Sequence, residues 1–526
     1  MRKRVKRISS GLLIGALSLQ SVLGAEVAVS KTSKQKELPR ATMKSNSKVS
    51  YFDEPGEVDS FGELFSEGKF YGRLRSNTFY FWWNKQDTKH DITLISGLGG
   101  SVVYKSAIYK GFDFGAALYY SHGFFDSKVD NALRFKAGKD AFSRYEYLKT
   151  GSKNMAVLGQ AYLRYTWLNS TALSLGRQLV ESFYTKSNDT KMIPNTFDGL
   201  VFKTEDIPDT KIQLTYLATQ KLRDHVQSHA VLMRGDCGSD DCYDPTSAEQ
   251  SSLANLSEND DGAMHKGLTY TNLLKQGKPT NAPLITGDFH TSFDYSFDID
   301  AAFYVVPELL TQGMLEFNKE IRFGDVRVIP GVRYIKQFDN GAGSVGGASL
   351  SGNLDATNTK GYREWDSLDS QMVAARVVTK VSDYKINLAY TYILNEADLV
   401  TPWRGFPTSG YTRSMGRYNW KANTKSYRAE FVRCTSTDGI YKDVFVQASI
   451  MYQDNDETKS SLQVDDSLYY YAGFMKNVAS LDNMQWRFRV GFQQYLNTNS
   501  KTINNTTFSD NDLNNLDTRF ELNYFF

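Results

Sequence analysis

The residues from Gln485 to Gln493 alternate without a break. Trp486, Phe488, Val490 and Phe492 fall on one side, and Arg487, Arg489, Gly491 and Gln493 on the other. A period of two is that of a β-strand, so this segment is a ribbon with one apolar face and one charged, wet face. The pattern returns in Phe112, Phe114, Ala116, Leu118 and Tyr120 against Asp113, Gly115 and Ala117. It returns again in Ile386, Leu388, Tyr390 and Tyr392 against Lys385, Asn387 and Thr391, and in Val444, Val446, Ala448, Ile450 and Tyr452 against Gln447 and Ser449. A water-soluble sandwich of such strands would bury mostly aliphatic side chains. Here aromatic residues make up 13% of the chain and gather near strand ends, where an outer-membrane barrel carries its girdles.

The cost of exposing charge to lipid orients the faces. An arginine facing the bilayer midplane costs about 2–4 kcal/mol, so Arg487 and Arg489 must face inward. A lumen lined with such groups requires water or compensating acids and cannot be a packed apolar core. No long apolar run follows the N-terminus, which excludes a helical membrane bundle. With 61 basic against 59 acidic residues, the chain lacks the basic excess of a nucleic-acid binder.

Residues 1–25 read as a secretory signal peptide. Arg2, Lys3, Arg4, Lys6 and Arg7 form the positive region, Ile8 to Leu23 the apolar region, and Gly24 and Ala25 the small residues before cleavage. Residues 26–68 are then a periplasmic extension whose stretch from Lys31 to Lys48, rich in Lys, Ser and Thr, reads as a mobile solvated tail. Residues 69–526 are the transmembrane barrel. Its last residues place Phe520, Leu522, Tyr524 and Phe526 outward and Arg519, Glu521 and Asn523 inward. An alternating ending that stops on an aromatic resembles the signal read by the outer-membrane insertion machinery.

Strand connections alternate between short, as at 168–172, 204–209 and 380–383, and long, as at 122–156, 181–196, 220–292, 338–369 and 395–424. That asymmetry is expected of an up-and-down antiparallel barrel with short turns inside and long loops outside. About 17 strands can be counted directly. The alternation slips between Tyr295 and Lys336, where Phe323-Gly324-Asp325 reads as a tight turn on the wrong side and a strand is missed. Single-chain bacterial barrels have an even number, so 18 strands are expected, with 16 as the fallback, and a barrel of that size keeps an aqueous channel.

Several segments resemble a known family. Gly176-Arg177-Gln178, then Ser187, Asp189, Lys191 and Pro194-Asn195-Thr196-Phe197-Asp198-Gly199, is similar to a characteristic segment of the OprD-type porins. Gln337-Phe338-Asp339-Asn340-Gly341-Ala342-Gly343 resembles another. The block Thr401-Pro402-Trp403-Arg404-Gly405-Phe406-Pro407, with Tyr411-Thr412-Arg413 and Tyr418-Asn419-Trp420, resembles the form found in the epsilonproteobacterial (Campylobacterota) branch. The resemblance implies a channel of 18 strands narrowed by inward loops, a ladder of lumen arginines, and diffusion of small solutes such as amino acids or carboxylates. By position, Val180 to Phe197 would be the constriction loop, bearing Asp189, Lys191, Pro194, Asn195 and Phe197. Lys191 stands where the family often has arginine, which keeps the charge and loses bidentate geometry.

Strand parity puts Arg164, Arg327, Arg333, Arg376, Arg428, Arg487, Arg489 and Arg519 on lumen faces, with Arg73 and Arg75 as companions in the first strand. A line of fixed guanidinium groups facing acidic loop residues sets a transverse field that favours anions or zwitterions. The competing expectation is that several of them pair with inward acids such as Glu430 and Glu521 and serve rigidity.

Cys237 and Cys242, in the longest loop, are expected to form a disulfide in an oxidising compartment, and Cys434 to be a small buried side chain at a strand end. Asp236, Asp240, Asp241 and Asp244 lack EF-hand spacing, so no metal is expected. The six histidines form no metalloprotease motif, and no nucleotide or dinucleotide fingerprint is present, so neither a cofactor nor catalysis is expected. The alternative to a porin is an outer-membrane barrel hydrolase or protease. Outer-membrane lipid and small hydrophilic solutes are the expected partners. A homotrimer is compatible with the sequence, which does not decide it.

Overall fold

The computed structural model describes residues 41–43, 49–84, 92–126, 141–143, 146–147, 150–232, 264–294, 296–352, 360–434, 444–459, 466–478, 481, 483–496, 501–503, 506–508 and 510–526. The residue pair Cys237 and Cys242 and the neighbouring aspartates lie outside these, as does the signal-peptide segment.

Eighteen long strands close into one antiparallel barrel. The first six are β1 (Lys69–Trp83), β2 (Thr93–Lys105), β3 (Phe112–Asp126), β4 (Asn154–Thr166), β5 (Ala172–Gln178) and β6 (Thr196–Thr204). The next six are β7 (Thr210–Lys221), β8 (Leu284–Phe293), β9 (Phe297–Val306), β10 (Leu310–Lys319), β11 (Val326–Asp339) and β12 (Ser370–Val381). The last are β13 (Tyr384–Ile393), β14 (Lys425–Arg433), β15 (Val444–Asp454), β16 (Ser467–Asn477), β17 (Met484–Tyr495) and β18 (Asn515–Phe525). Each pairs with its sequence neighbours, and β18 returns to β1 with Phe525 opposite Arg73 and Asn515 opposite Trp83. No strand edge is left open, which is what a spanning sheet requires in lipid.

One end of the barrel carries the connections 84–92, 127–153, 179–195, 222–283, 340–369, 394–424, 455–466 and 496–514. The other carries the shorter ones, among them 167–171, 205–209, 294–296 and 382–383. The turn containing Phe323-Gly324-Asp325 sits at the short-turn end, where it belongs. The turn out of place is 307–309, a tight reversal at the long-loop end with Glu308 at φ 62°. The strand hidden from the sequence is β8, which falls inside the segment 220–292 read as a loop. Its lumen face is Thr286, Asp288, His290 and Ser292, and Gly287 and Thr291 dilute the outer face of Ile285, Phe289 and Phe293, so its alternation is too weak to see.

Outward side chains form a continuous apolar wall: Leu74, Leu118, Leu175 and Leu388 are each more than half exposed. A monomeric soluble protein does not expose apolar surface on this scale. Around the short-turn end an aromatic belt runs through Phe112 and Tyr165 (ring centroids 4.4 Å apart), Trp167, Phe202, Phe293, Phe297 and Phe317. Leu118 lies mid-strand and 62% exposed, so Leu118→Arg is expected to cost about 2–4 kcal/mol of barrel stability in lipid. Urea unfolding in vesicles measures this, and a cost near zero would show that this face is not against hydrocarbon.

The barrel's closing seam depends on one glycine. Phe526 continues β18 past its last paired residue: the Gly72 N–H donates to the Phe526 carbonyl at 2.7 Å, and the Phe526 N–H returns to Gly72 at 3.0 Å. A Cβ at Gly72 would stand 2.1 Å from the Phe526 ring, so the missing side chain is the space in which the terminal aromatic lies.

Of the stretch from Lys31 to Lys48 expected as a solvated tail, residues 41–43 are described, and these are not solvated. Ala41–Met43 pairs with Val49–Tyr51, and Ala41 and Met43 are buried against Phe525, a lumen-facing residue of β18. Glu57–Val58 then adds in parallel to Ile108–Tyr109. A capping box follows, with the Ser60 and Asp59 N–H groups donating to the Glu63 carboxylate at 3.2 Å and the Glu63 N–H to the Ser60 hydroxyl, which starts the turn into β1. Cys434 is exposed beyond the end of β14 rather than buried, because the strand stops one residue earlier and the chain turns to bond the Asp383 carbonyl.

Candidate functional site

Two of the long connections meet inside the lumen. The segment 179–195 is buried or half-buried at every residue, with Val180, Tyr184, Met192 and Ile193 inaccessible to solvent. The segment 394–424 is its counterpart, with Trp403, Tyr411 and Trp420 equally buried. They are joined by backbone: the Lys186 N–H donates to the Trp403 carbonyl at 2.9 Å and the Gly405 N–H to the Tyr184 carbonyl at 3.0 Å. Gly405 permits this approach, since a Cβ there would lie 2.1 Å from the Phe183 carbonyl oxygen. Phe197, expected to close the first loop, is already the second residue of β6, packed in the apolar cluster that roofs this side of the barrel.

The first loop is tethered to the wall by charge. Asp189 accepts from Arg73 at 2.8 Å and from Arg75, and Arg75 also donates to Glu521 at 2.8 Å and to the Asp189 carbonyl at 2.9 Å. Asn77 donates to the Lys191 carbonyl at 2.8 Å, and the Lys191 ammonium stands 4.1 Å from the centre of the Phe79 ring. Pro194 supplies a carbonyl to the buried Lys221 ammonium, and the Asn195 N–H closes the loop by donating to the Ser187 carbonyl at 2.9 Å. Arg489 lies 3.9 Å from Glu521, and Arg519 donates to Asp517 at 2.6 Å. Arg487 occupies the same lumen row, one pleat towards the short turns.

The second loop is held differently, by cation–π stacking and by carbonyls. Arg413 lies over Phe406 at 4.3 Å, with Phe406 stacked on Trp420 at 4.9 Å, and Arg417 lies over Tyr469 at 4.9 Å. Arg333 and Arg376 share Glu316 and donate to the loop's carbonyls, Arg333 to Pro407 at 2.7 Å and Ser409 at 2.8 Å, Arg376 to Gly410 at 3.0 Å. Tyr411 sits beneath both guanidiniums, and burial pushes its phenol above the usual range, so it stays neutral beside Glu316.

Between the loops and the wall of β14 to β18 lies a cavity of about 660 Å³. Nine basic side chains line it (Lys186, Lys191, Arg223, Arg404, Arg413, Arg417, Arg428, Arg489 and Arg519) against two acids, Glu181 and Asp517. Two further cavities open towards the short-turn end, about 510 Å³ along β6 to β12 and about 580 Å³ along β1 to β4. Glu181 borders all three.

The ten arginines singled out by strand parity all lie on lumen-facing positions, and they do not form one ladder. Arg73, Arg75, Arg487, Arg489 and Arg519 gather on β1, β17 and β18. Arg428 pairs with Glu430 at 2.8 Å, one wall over. Arg333 and Arg376 clamp the second loop. Arg164 pairs with Asp113 at 2.7 Å in the third cavity, and Arg327 stands at the short-turn rim, 4.0 Å from Glu320. Strand parity missed Arg223, Arg404, Arg413 and Arg417, because they sit on loops where a two-residue period has no meaning. The available signal was a long connection in which arginine alternates with Trp, Phe, Gly and Pro.

No family model and no curated protein matches this sequence. Solved structures do. OccAB1 of Acinetobacter baumannii superposes with a TM-score of 0.63 at 11% identity, over 88% of this chain and 97% of that one. OccK8 (OprE) of Pseudomonas aeruginosa gives 0.60 at 12%, over 88% and 99%. OpdK of the same organism, solved with vanillate, gives 0.59 at 11%, over 88% and 99%. This chain has the fold of the Occ and Opd porins.

Proposed function

We propose that this protein is an outer-membrane porin of the OprD type through which small hydrophilic anions, carboxylates or amino acids diffuse passively. The long-loop end faces outward, the short turns face the periplasm, and Arg428, Arg489 and Arg519 on the wall, with Arg223, Arg404, Arg413 and Arg417 on the loops, set the field that solutes cross. The observation that carries the reading is the lining of the cavity beside the two inward loops by nine basic and two acidic side chains. Fixed cations in a narrow, low-dielectric passage raise the local concentration of anions and repel cations. Asp189 and Lys191 fix where the first loop stands, and Asp517 and Glu181 offer the opposite charge that would align a dipolar solute. That a neighbour of the same fold was solved with vanillate, a carboxylate, supports this solute class.

The outward wall and aromatic belt make outer-membrane lipid the surrounding partner, and the seam at Phe526 is the segment offered to the insertion machinery. The aromatic and arginine block from Thr401 to Trp420 supports a place in the Campylobacterota branch.

In planar bilayers under a salt gradient, the reversal potential is expected to show anion preference. Replacing Arg417, Arg489 and Arg519 with glutamine together should shift it towards the cation side. Cation selectivity in the unaltered protein, or an unchanged reversal potential in the triple variant, would count against this reading.

A further inference from the structure

The N-terminal segment is part of the channel. Ala41 and Met43 are 3% and 1% exposed and rest on Phe525 inside the barrel wall. The Gln485 amide of β17 donates to the Met43 carbonyl at 3.0 Å. Tyr51 packs its ring against Tyr71 of β1 at 4.6 Å, and the Lys105 ammonium of β2 lies 4.2 Å from the Tyr51 ring centre. Ala41, Val49, Ser50, Tyr51, Phe52 and Glu54 wall the 580 Å³ cavity that also touches Arg73, Ser187 and Asp189 at the underside of the constriction. The 510 Å³ cavity beside it touches none of them. Below Glu181 the lumen thus widens into two adjoining cavities, which also share Lys203, and the segment stands in one.

The way it is held differs from the way the inward loops are held. A ribbon of three residues paired with three is too short to be stable alone. Its charged contacts, Asp53 with Lys69 and Glu54 with Lys105 at 2.8 Å, join half-buried lysines to exposed carboxylates, where water screens the pairs and they contribute little. What seats it is the insertion of Ala41 and Met43 against Phe525, with one hydrogen bond from Gln485 and the Tyr51 ring on Tyr71.

We propose that residues 41–43 and 49–54 are an internal stopper, seated in one of these two cavities, which they partly block and can leave. This rests on the channel function proposed above. Two adjoining cavities of similar volume act as parallel paths in series with one constriction, so unstoppering the second should raise unitary conductance by a fraction that stays short of doubling.

The test is single-channel recording on the full chain. Ala41→Asp with Met43→Asp places two carboxylates against Phe525 and is expected to raise the conductance step, with the barrel's heat-modifiable gel migration unchanged. A second protein carries Tyr51→Cys and Tyr71→Cys with Cys237, Cys242 and Cys434 replaced by serine, joined by a short thiol-cleavable linker. Linked, it should hold the lower conductance level, and cleavage should restore transitions to the higher one. A folded channel whose conductance is the same in the aspartate variant and before and after cleavage would overturn the stopper and leave the porin reading standing. Absence of any channel in the unaltered protein would overturn both.

Discussion

Asp189→Ala is expected to destabilise the barrel by about 3–5 kcal/mol, the scale on which removing one member of a buried ion network leaves its partners' charge uncompensated. Asp189 is 5% exposed and serves two arginines; the Arg75 side chain is wholly buried and that of Arg73 nearly so. Arg75 keeps Glu521, whereas Arg73 loses its one ion pair among the described residues. The substitution also acts on the loop. Of the ties between 179–195 and β1, the Arg75 bond to the main-chain carbonyl of residue 189, the Asn77 bond to the Lys191 carbonyl and the Lys191 contact with the Phe79 ring remain, each worth about 1–3 kcal/mol or less, so the loop loosens without leaving the wall. Conductance should therefore rise and become noisier while anion preference increases, because an acid has gone from beneath a basic cavity. Asp189→Asn separates the terms. It keeps the shape and loses the charge, so it should cost nearly as much if ion pairing dominates. Urea unfolding followed by intrinsic fluorescence gives the energy, and a loss under about 1 kcal/mol for both variants would show that the pairs behave as exposed ones do.

Much of the barrel was legible because the physics that builds it is one-dimensional. A strand between lipid and water must alternate, and a charge on the wrong face is costly, so Trp486 to Gln493 and Arg519 to Phe526 declare both their conformation and their orientation. Legibility failed where those conditions relax. In β8 the lumen face is polar and the lipid face is thinned by Gly287 and Thr291, so the segment looks like a loop. At 307–309 the long-loop end is bridged by a tight turn, which inverted the apparent side of the next one. Parity placed ten arginines on lumen positions but said nothing of their partners, and the partners decide their role: Glu316 and loop carbonyls turn Arg333 and Arg376 into clamps. The second inward loop was marked in the sequence by its aromatic and arginine content, yet its place in the lumen depends on contacts with Tyr184 and Lys186, more than 200 residues earlier.

Trp403→Ala should be the most disruptive single change in the second loop, at about 3–5 kcal/mol, the usual cost of emptying a buried aromatic site. The indole is inaccessible to solvent and meets three different elements. Its ring stands edge-on to Tyr304 of β9 at 4.9 Å, its N–H donates to the Val231 carbonyl of the 222–283 connection at 2.7 Å, and its own carbonyl receives Lys186 of the first loop. Tyr304 in turn donates to the Val400 carbonyl at 2.7 Å and packs against Tyr184 at 4.8 Å, so the void would open where both inward loops meet the wall. Because the backbone link to Lys186 survives the substitution, the loops should loosen together and not part, which predicts fluctuating conductance around a raised mean. Trp403→Phe keeps most of the packing and removes one of the two donors to the Val231 carbonyl, which keeps the Gln220 amide at 2.7 Å, a loss of about 1 kcal/mol. If the phenylalanine variant proves as unstable as the alanine one, the indole hydrogen bond outweighs the filled volume. If phenylalanine is nearly neutral, shape alone holds the two loops together, and the constriction is set by packing in the same way as a soluble core.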